Sequence, residues 1–155
     1  MSRVPEANIQ LELYRVLKNM IEAGQGKFRA VEFTDVKPEV NVDGGYADLV
    51  IYGKEDGIEK AFIVIETKRK TDKGTDRYFD PYSPKVIDQA AFYAMKIGAN
   101  YFITTNGDVL VSFETFKTGV HLPDRRVKPY DLYIQNIKEK EVLSKGKLAS
   151  FRSGR

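Results

Sequence analysis

The chain has 155 residues, 42% of them hydrophobic and 30% charged, with no Cys and no Trp. That composition suits one domain, spanning residues 1–155, with a sizeable apolar core, and it excludes disulfides, zinc–thiolate centres and iron–sulfur clusters. No run reaches the roughly 18 apolar residues of a membrane span and no signal-peptide pattern opens the chain, so a cytoplasmic protein with no membrane partner is expected. The net charge of +3 is uneven: Lys117 to Arg155 carries 10 Lys and Arg against 4 Asp and Glu, a net of +6, leaving −3 for the residues before it. This basic segment, 117–155, can track phosphates, although such tails are also commonly plain solvated surface.

In chain order, Pro5 to Ala23 reads as an amphipathic helix. Ile9, Leu13, Val16, Leu17 and Met20 recur at helical spacing, Pro5 stands near the start and Gly24 just past the end. At 100° per residue, Glu6 lies about 30° from the centre of that stripe and Glu12 about 90° away. Glu6 is therefore the inward carboxylate, although a first-turn acid also favours the helix dipole.

Ala47 to Tyr52 (ADLVIY) and Ala61 to Ile65 (AFIVI) are short, apolar and rich in β-branched residues, with turn-like Gly53-Lys54-Glu55-Asp56-Gly57 between them. They are expected to pair antiparallel. AFIVI is apolar on both faces, which marks a central strand. Alternation sends Glu66 and Lys68 to one face while Thr67 turns away and offers its carbonyl to the same side. If Asp48 pairs across from the end of the second strand, two carboxylates and a lysine converge there. Hard oxygen ligands without nearby Cys or His suit Mg²⁺ or Mn²⁺. A Glu-x-Lys on a strand is also a common surface ion pair worth little by itself. The odds change because central strands seldom end in a charged cluster.

Arg69 to Ser83 (RKTDKGTDRYFDPYS) leaves this strand without periodicity. Its basic residues, Arg69 and Lys70 first among them, are interleaved with Tyr78, Phe79 and Tyr82, as a loop that grips phosphates and stacks bases requires. A second helix is expected from Pro84 to Ile97, stopping at Gly98. It carries Gln89 and Tyr93 on one face, four residues apart, either as a solvated amide and a half-buried packing residue respectively or laid together against the site. Further strands are expected at Val109–Phe113 and Tyr130–Ile134 and a short helix at Lys138–Leu143. His121, before Leu122-Pro123, reads as a loop residue. No phosphate-binding G-x-x-x-x-G-K-[ST] loop or dinucleotide G-x-G-x-x-G fingerprint is present, so no motor domain is expected.

Glu6, Gly45-Tyr46-Ala47-Asp48, Ile65-Glu66-Thr67-Lys68 and Gln89-x-x-x-Tyr93 together resemble the PD-(D/E)xK nuclease superfamily over roughly residues 5–115. Within it the likeness is to the N-terminal nuclease domain of type I restriction enzyme R subunits, whose pattern Ile103-Thr104-Thr105-Asn106-Gly107 also fits. One departure is Ala47, where a proline often stands. The resemblance implies an α/β, restriction-endonuclease-like fold with a mixed central sheet flanked by helices. It implies a Mg²⁺- or Mn²⁺-dependent deoxyribonuclease in which Asp48, Glu66 and the Thr67 carbonyl bind metal. Lys68 would position or deprotonate the attacking water, and Glu6 would bind metal or water. Gln89 and Tyr93 would support the site and the DNA backbone. DNA is the implied substrate, with a helicase or translocase, a restriction-complex subunit or a second copy as partner. The alternative is a non-catalytic nucleic-acid binding or assembly module on the same fold.

Overall fold

A computed structural model describes residues 6–28, 30–68, 83–106 and 110–127, the side chains of residues 6–8 excepted. The elements run α1 (Glu6–Glu22), β1 (Lys27–Phe28), β2 (Val31–Val42), β3 (Gly45–Glu55), β4 (Ile58–Thr67), α2 (Pro84–Ile97), β5 (Tyr101–Thr105), β6 (Leu110–Glu114), a 3-10 turn (Leu122–Asp124) and β7 (Arg126–Val127). The strands form a seven-stranded sheet in the order β1-β2-β3-β4-β5-β6-β7. Every neighbouring pair is antiparallel except β4–β5, which is parallel and is spanned by the connection that contains α2. This mixed sheet between helices is the expected fold class.

The two long hairpins turn through Asp43-Gly44 and Asp56-Gly57. Both residues of each pair have positive φ (51° and 89°; 54° and 81°), the two-residue turn whose twist matches that of the flanking strands. The β3–β4 turn is thus tighter than the expected five residues, and β3 runs on to Glu55. The second hairpin, β2–β3, has no counterpart among the expected elements. Its strand β2 reads VEFTDVKPEVNV, whose alternation is broken by a register shift between Phe33 and Asp35.

Two apolar layers clamp the sheet. Leu13, Leu17 and Met20 of α1 pack with Val36, Leu49, Ile51, Ile63 and Ile65. Ile87, Ala90, Ala91 and Ala94 of α2 pack with Val50, Val64, Phe102 and Phe113 on the other side. β4 feeds both layers, as its two-sided apolar run requires. Fully burying each Leu or Ile stabilises the fold by about 1.5–3 kcal/mol, so the helices are held by these layers. α2 keeps its expected bounds: Pro84 stands at its start and Gly98 ends it in the left-handed region at φ 74°, donating its N–H to Met95 O at 3.3 Å. The expected strand at residues 109–113 appears as Leu110–Glu114. Residues 130–134 and 138–143, and the loop from Arg69 to Tyr82 with Tyr78 and Phe79, lie outside the described residues.

Candidate active site

β3 and β4 part company at Asp48. Their ladder pairs Glu55 with Ile58 and continues to Leu49 with Ile65, the last pair at that end. Beyond it, each strand gives its backbone N–H to a carboxylate of the other: Thr67 N donates to Asp48 Oδ2 at 2.8 Å, and Asp48 N donates to Glu66 Oε1 at 3.3 Å. Meanwhile β4 stays tied on its other edge to β5, where Glu66 pairs with Thr104 and Thr67 with Thr105, and Lys68 N donates to Thr105 O at 2.8 Å. The opening therefore lies on the β3 side of a strand that is otherwise fixed, and the two acids are wedged into it.

A change of phase in the hairpin explains the parting. Leu49 packs in the α1 layer, but Ala47 and Val42 pack in the α2 layer, and a Cβ on Gly45 would stand 2.6 Å from the Tyr93 hydroxyl of α2. Unbroken alternation would place residues 45, 47 and 49 on one face. β3 thus turns over at Asp48. On β2, Val36 belongs to the α1 layer and Val42 to the α2 layer, and between them Glu39 adopts φ 51°, a region that a glutamate rarely enters. Register pairs Pro38 with Leu49 and Val40 with Ala47, so Glu39 stands across from Asp48 at the same turnover.

Asp48 is half-buried and Glu66 is 1% exposed. Burial raises the Asp48 carboxyl above its ordinary value, opposed by hydrogen bonds from the Thr67 N–H and hydroxyl and by the charge of Lys68, while Glu39 raises it further. Thr67 does not turn away from the acids: its buried hydroxyl donates to Asp48 Oδ2 at 3.0 Å. The reason is the opening itself, which lets Asp48 reach across to the neighbouring strand's backbone and side chain together. From α1, Gln10 Nε2 donates to the Asp48 carbonyl at 2.9 Å.

The structure thus brings together Asp48, Glu66, Thr67 and Lys68. Glu6 heads α1, but its side chain lies outside the described residues, as do Arg69 and Lys70. Gln89 is half-buried on α2, and Tyr93 packs its hydroxyl against Gly45, three residues before Asp48. Gln10 and Glu39 are the residues that sequence reasoning passed over. Gln10 shares the helix face of Glu6 by its four-residue spacing, a signal available in the sequence, whereas Glu39 sits on the strand that the broken alternation concealed. Among the described residues no three His, Cys, Asp or Glu side chains stand close enough together to form a metal-binding group.

Neither a family model nor a curated protein sequence matches the chain. Among solved structures, the chain is similar to the type IIG restriction endonuclease BpuSI, with a TM-score of 0.53 over 88% of this chain at 20% identity. The chain matches 16% of the length of that protein. At this identity the likeness shows a shared restriction-endonuclease-like fold.

Proposed function

We propose that the chain is a Mg²⁺-dependent nuclease of the PD-(D/E)xK kind that hydrolyses DNA phosphodiester bonds at the opening between β3 and β4. One observation carries the reading: where the ladder ends, the carboxylates of Asp48 and Glu66 each accept a backbone N–H of the opposite strand, with Lys68 two residues beyond Glu66 on the strand that stays fixed.

The donor set fits a hard divalent cation. Mg²⁺ is commonly held by one or two carboxylates, with water and substrate phosphate completing its shell. Asp48, Glu66 and the Thr67 carbonyl would hold Mg²⁺ or Mn²⁺, and burial of Asp48 supplies an unfavourable charge that a cation offsets. When bound, the ion shields charge on the phosphorane-like transition state and lowers the pKa of a bound water. Lys68 adds a mobile cation beside Asp48 that orients the attacking water. Thr67 holds Asp48 in one rotamer through two donors, so the acid is arranged before the ion arrives. Glu6, near the start of α1, is assigned a water- or metal-binding role. Arg69 and Lys70, directly after Lys68, are assigned phosphate contacts, and Gln89 and Tyr93 are assigned support of the site.

The sequence likeness to type I R-subunit nuclease domains adds the expectation that a translocase or restriction-complex subunit, or a second copy, works beside this chain. The test is a cleavage assay on single-stranded, duplex and branched DNA with Mg²⁺ and with EDTA. Cleavage of at least one DNA form in Mg²⁺, absent in EDTA, is expected. No cleavage of any form would favour a binding module on the same fold.

A further inference from the structure

We propose that the Tyr46 ring stacks on an unpaired base beside the scissile phosphate, so that the substrate is single-stranded DNA or DNA with an unpaired base at the cleavage point. The inference deepens the nuclease reading and rests on it for the place of the phosphate, while the contact between ring and base is measurable without turnover.

The β2–β3 ladder continues through Val40–Ala47, Asn41–Tyr46 and Val42–Gly45 after the β3–β4 ladder has ended at Leu49–Ile65. Val40, Val42 and Ala47 pack in the α2 layer. Alternation therefore turns the intervening pair, Asn41 and Tyr46, to the opposite side of the sheet, the side of α1. Ile63 and Ile65 pack in the α1 layer, so Thr67 follows them by the same rule, and its hydroxyl donates to Asp48 Oδ2 at 3.0 Å. The Tyr46 ring thus shares a side of the sheet with the Asp48 carboxylate, about 7 Å away along the strand. Counting on from Leu49–Ile65 sets Ala47 level with Thr67 and Tyr46 level with Lys68 across the opening. The outer lip of the site carries a cation on one strand and an aromatic ring on the other, a spacing suited to a phosphate and its neighbouring base.

Tyr46 is 59% exposed, and Asn41, its cross-strand partner, is exposed too and leaves the ring bare. A single exposed aromatic residue is ordinary surface; the place of this one at the lip gives it a ligand. From Pro38 to Gly53 the chain has no Lys or Arg but carries Glu39, Asp43 and Asp48. Lys96, which pairs with Asp43 at 3.0 Å, belongs to α2 on the other side. Such a ribbon repels a phosphate backbone, whereas a tyrosine face attracts any base by stacking. Bases inside a duplex are already stacked on each other, so the ring takes one that is unpaired.

The experiment compares wild type, Tyr46→Phe, Tyr46→Ala and Phe116→Ala on single-stranded and duplex oligonucleotides. Phe116 is a control ring, 58% exposed and just beyond Glu114, which pairs with Tyr101 at the far end of β5. Binding in EDTA is followed by the fluorescence of a 2-aminopurine base, which stacking quenches, and cleavage in Mg²⁺ gives KM. Tyr46→Ala should lose the quench and raise Kd and KM for single strands by at least about five-fold, the lower end for loss of a base–aromatic stack. Its dependence on salt should match the wild type, since no phosphate contact is removed, and duplex affinity should hold within two-fold. Tyr46→Phe and Phe116→Ala should behave as wild type. Tyr46→Thr, which keeps strand preference, repeats the measurement if the Ala variant folds poorly. Single-strand binding and cleavage unchanged in Tyr46→Ala, an equal loss on duplex, or an equal loss in Phe116→Ala would overturn the proposal and leave the nuclease reading intact. A wild type that binds single strands but cleaves no DNA removes the nuclease reading, and the quench still decides the role of Tyr46. A wild type that neither binds nor cleaves DNA overturns both.

Discussion

Asp48 concentrates the chemistry of this molecule because three of its groups are tied to three different partners. Its carboxyl, raised by burial, holds its proton more tightly folded than unfolded. Such a group supports the fold below the unfolded carboxylate value and loses that support as pH rises through the higher folded value, so at neutral pH the charged form costs stability. Asp48→Asn should therefore raise Tm at pH 7, by about 2–4 °C for each kcal/mol of relief, with the gain shrinking as pH falls towards the range where the wild-type acid is protonated. A thermal melt series at stepped pH checks it, and a gain that grows towards acid pH would reverse the assignment. Lys68 bears on the same carboxylate as a favourable charge. Its proposed action is on water and phosphate, so Lys68→Ala should lose turnover while keeping Mn²⁺ affinity within a few-fold. Calorimetry showing both lost together would make it part of the ion site. The Thr67 hydroxyl was not legible in the sequence, because period-two alternation assigns it to the opposite face and only the opening of the ladder brings it to Asp48.

The elements explain why that opening exists and why part of it was readable. α2 was legible to its ends, since Pro84, the buried small residues and Gly98 all mark the same segment. β2 was not, because one register shift and the turnover at Glu39 erase its alternation. The tie from Gln10 was invisible for a different reason: it is made to a backbone carbonyl 38 residues away, and no side-chain pattern records such a bond. Packing of α2 on the hairpin rests on Gly45, where the Tyr93 ring leaves no space for a Cβ. Gly45→Ala should cost about 1–3 kcal/mol, as overpacking does. Tyr93→Phe, which removes the hydroxyl that the new methyl would meet at 2.6 Å, should recover much of that in the double variant. Denaturant melts of the four proteins measure the coupling, and additive losses would show that the two residues do not meet. The phase of α1 makes a second distinction: Glu6→Gln should cut cleavage by roughly ten-fold or more, and Glu12→Gln should matter little. The reverse result would hand the role to Glu12.

At the scale of the fold, the described residues form a seven-stranded mixed sheet with a helix on each face, and its polar opening lies where one antiparallel ladder stops while its parallel neighbour continues. The sequence resemblance and the likeness to a restriction endonuclease structure agree on that fold, and they were reached from different information: motif order in one case, backbone shape in the other. The acids at the opening turn the fold into a functional claim. That claim is tested most directly by single-turnover cleavage of DNA in Mg²⁺ with wild type, Asp48→Ala and Glu66→Ala, each shown by its melt to be folded. Mg²⁺-dependent cleavage by the wild type, lost in both variants while each still melts as a folded protein, is the predicted result. Cleavage that survives either substitution would contradict the assignment of the active site to the opening between β3 and β4.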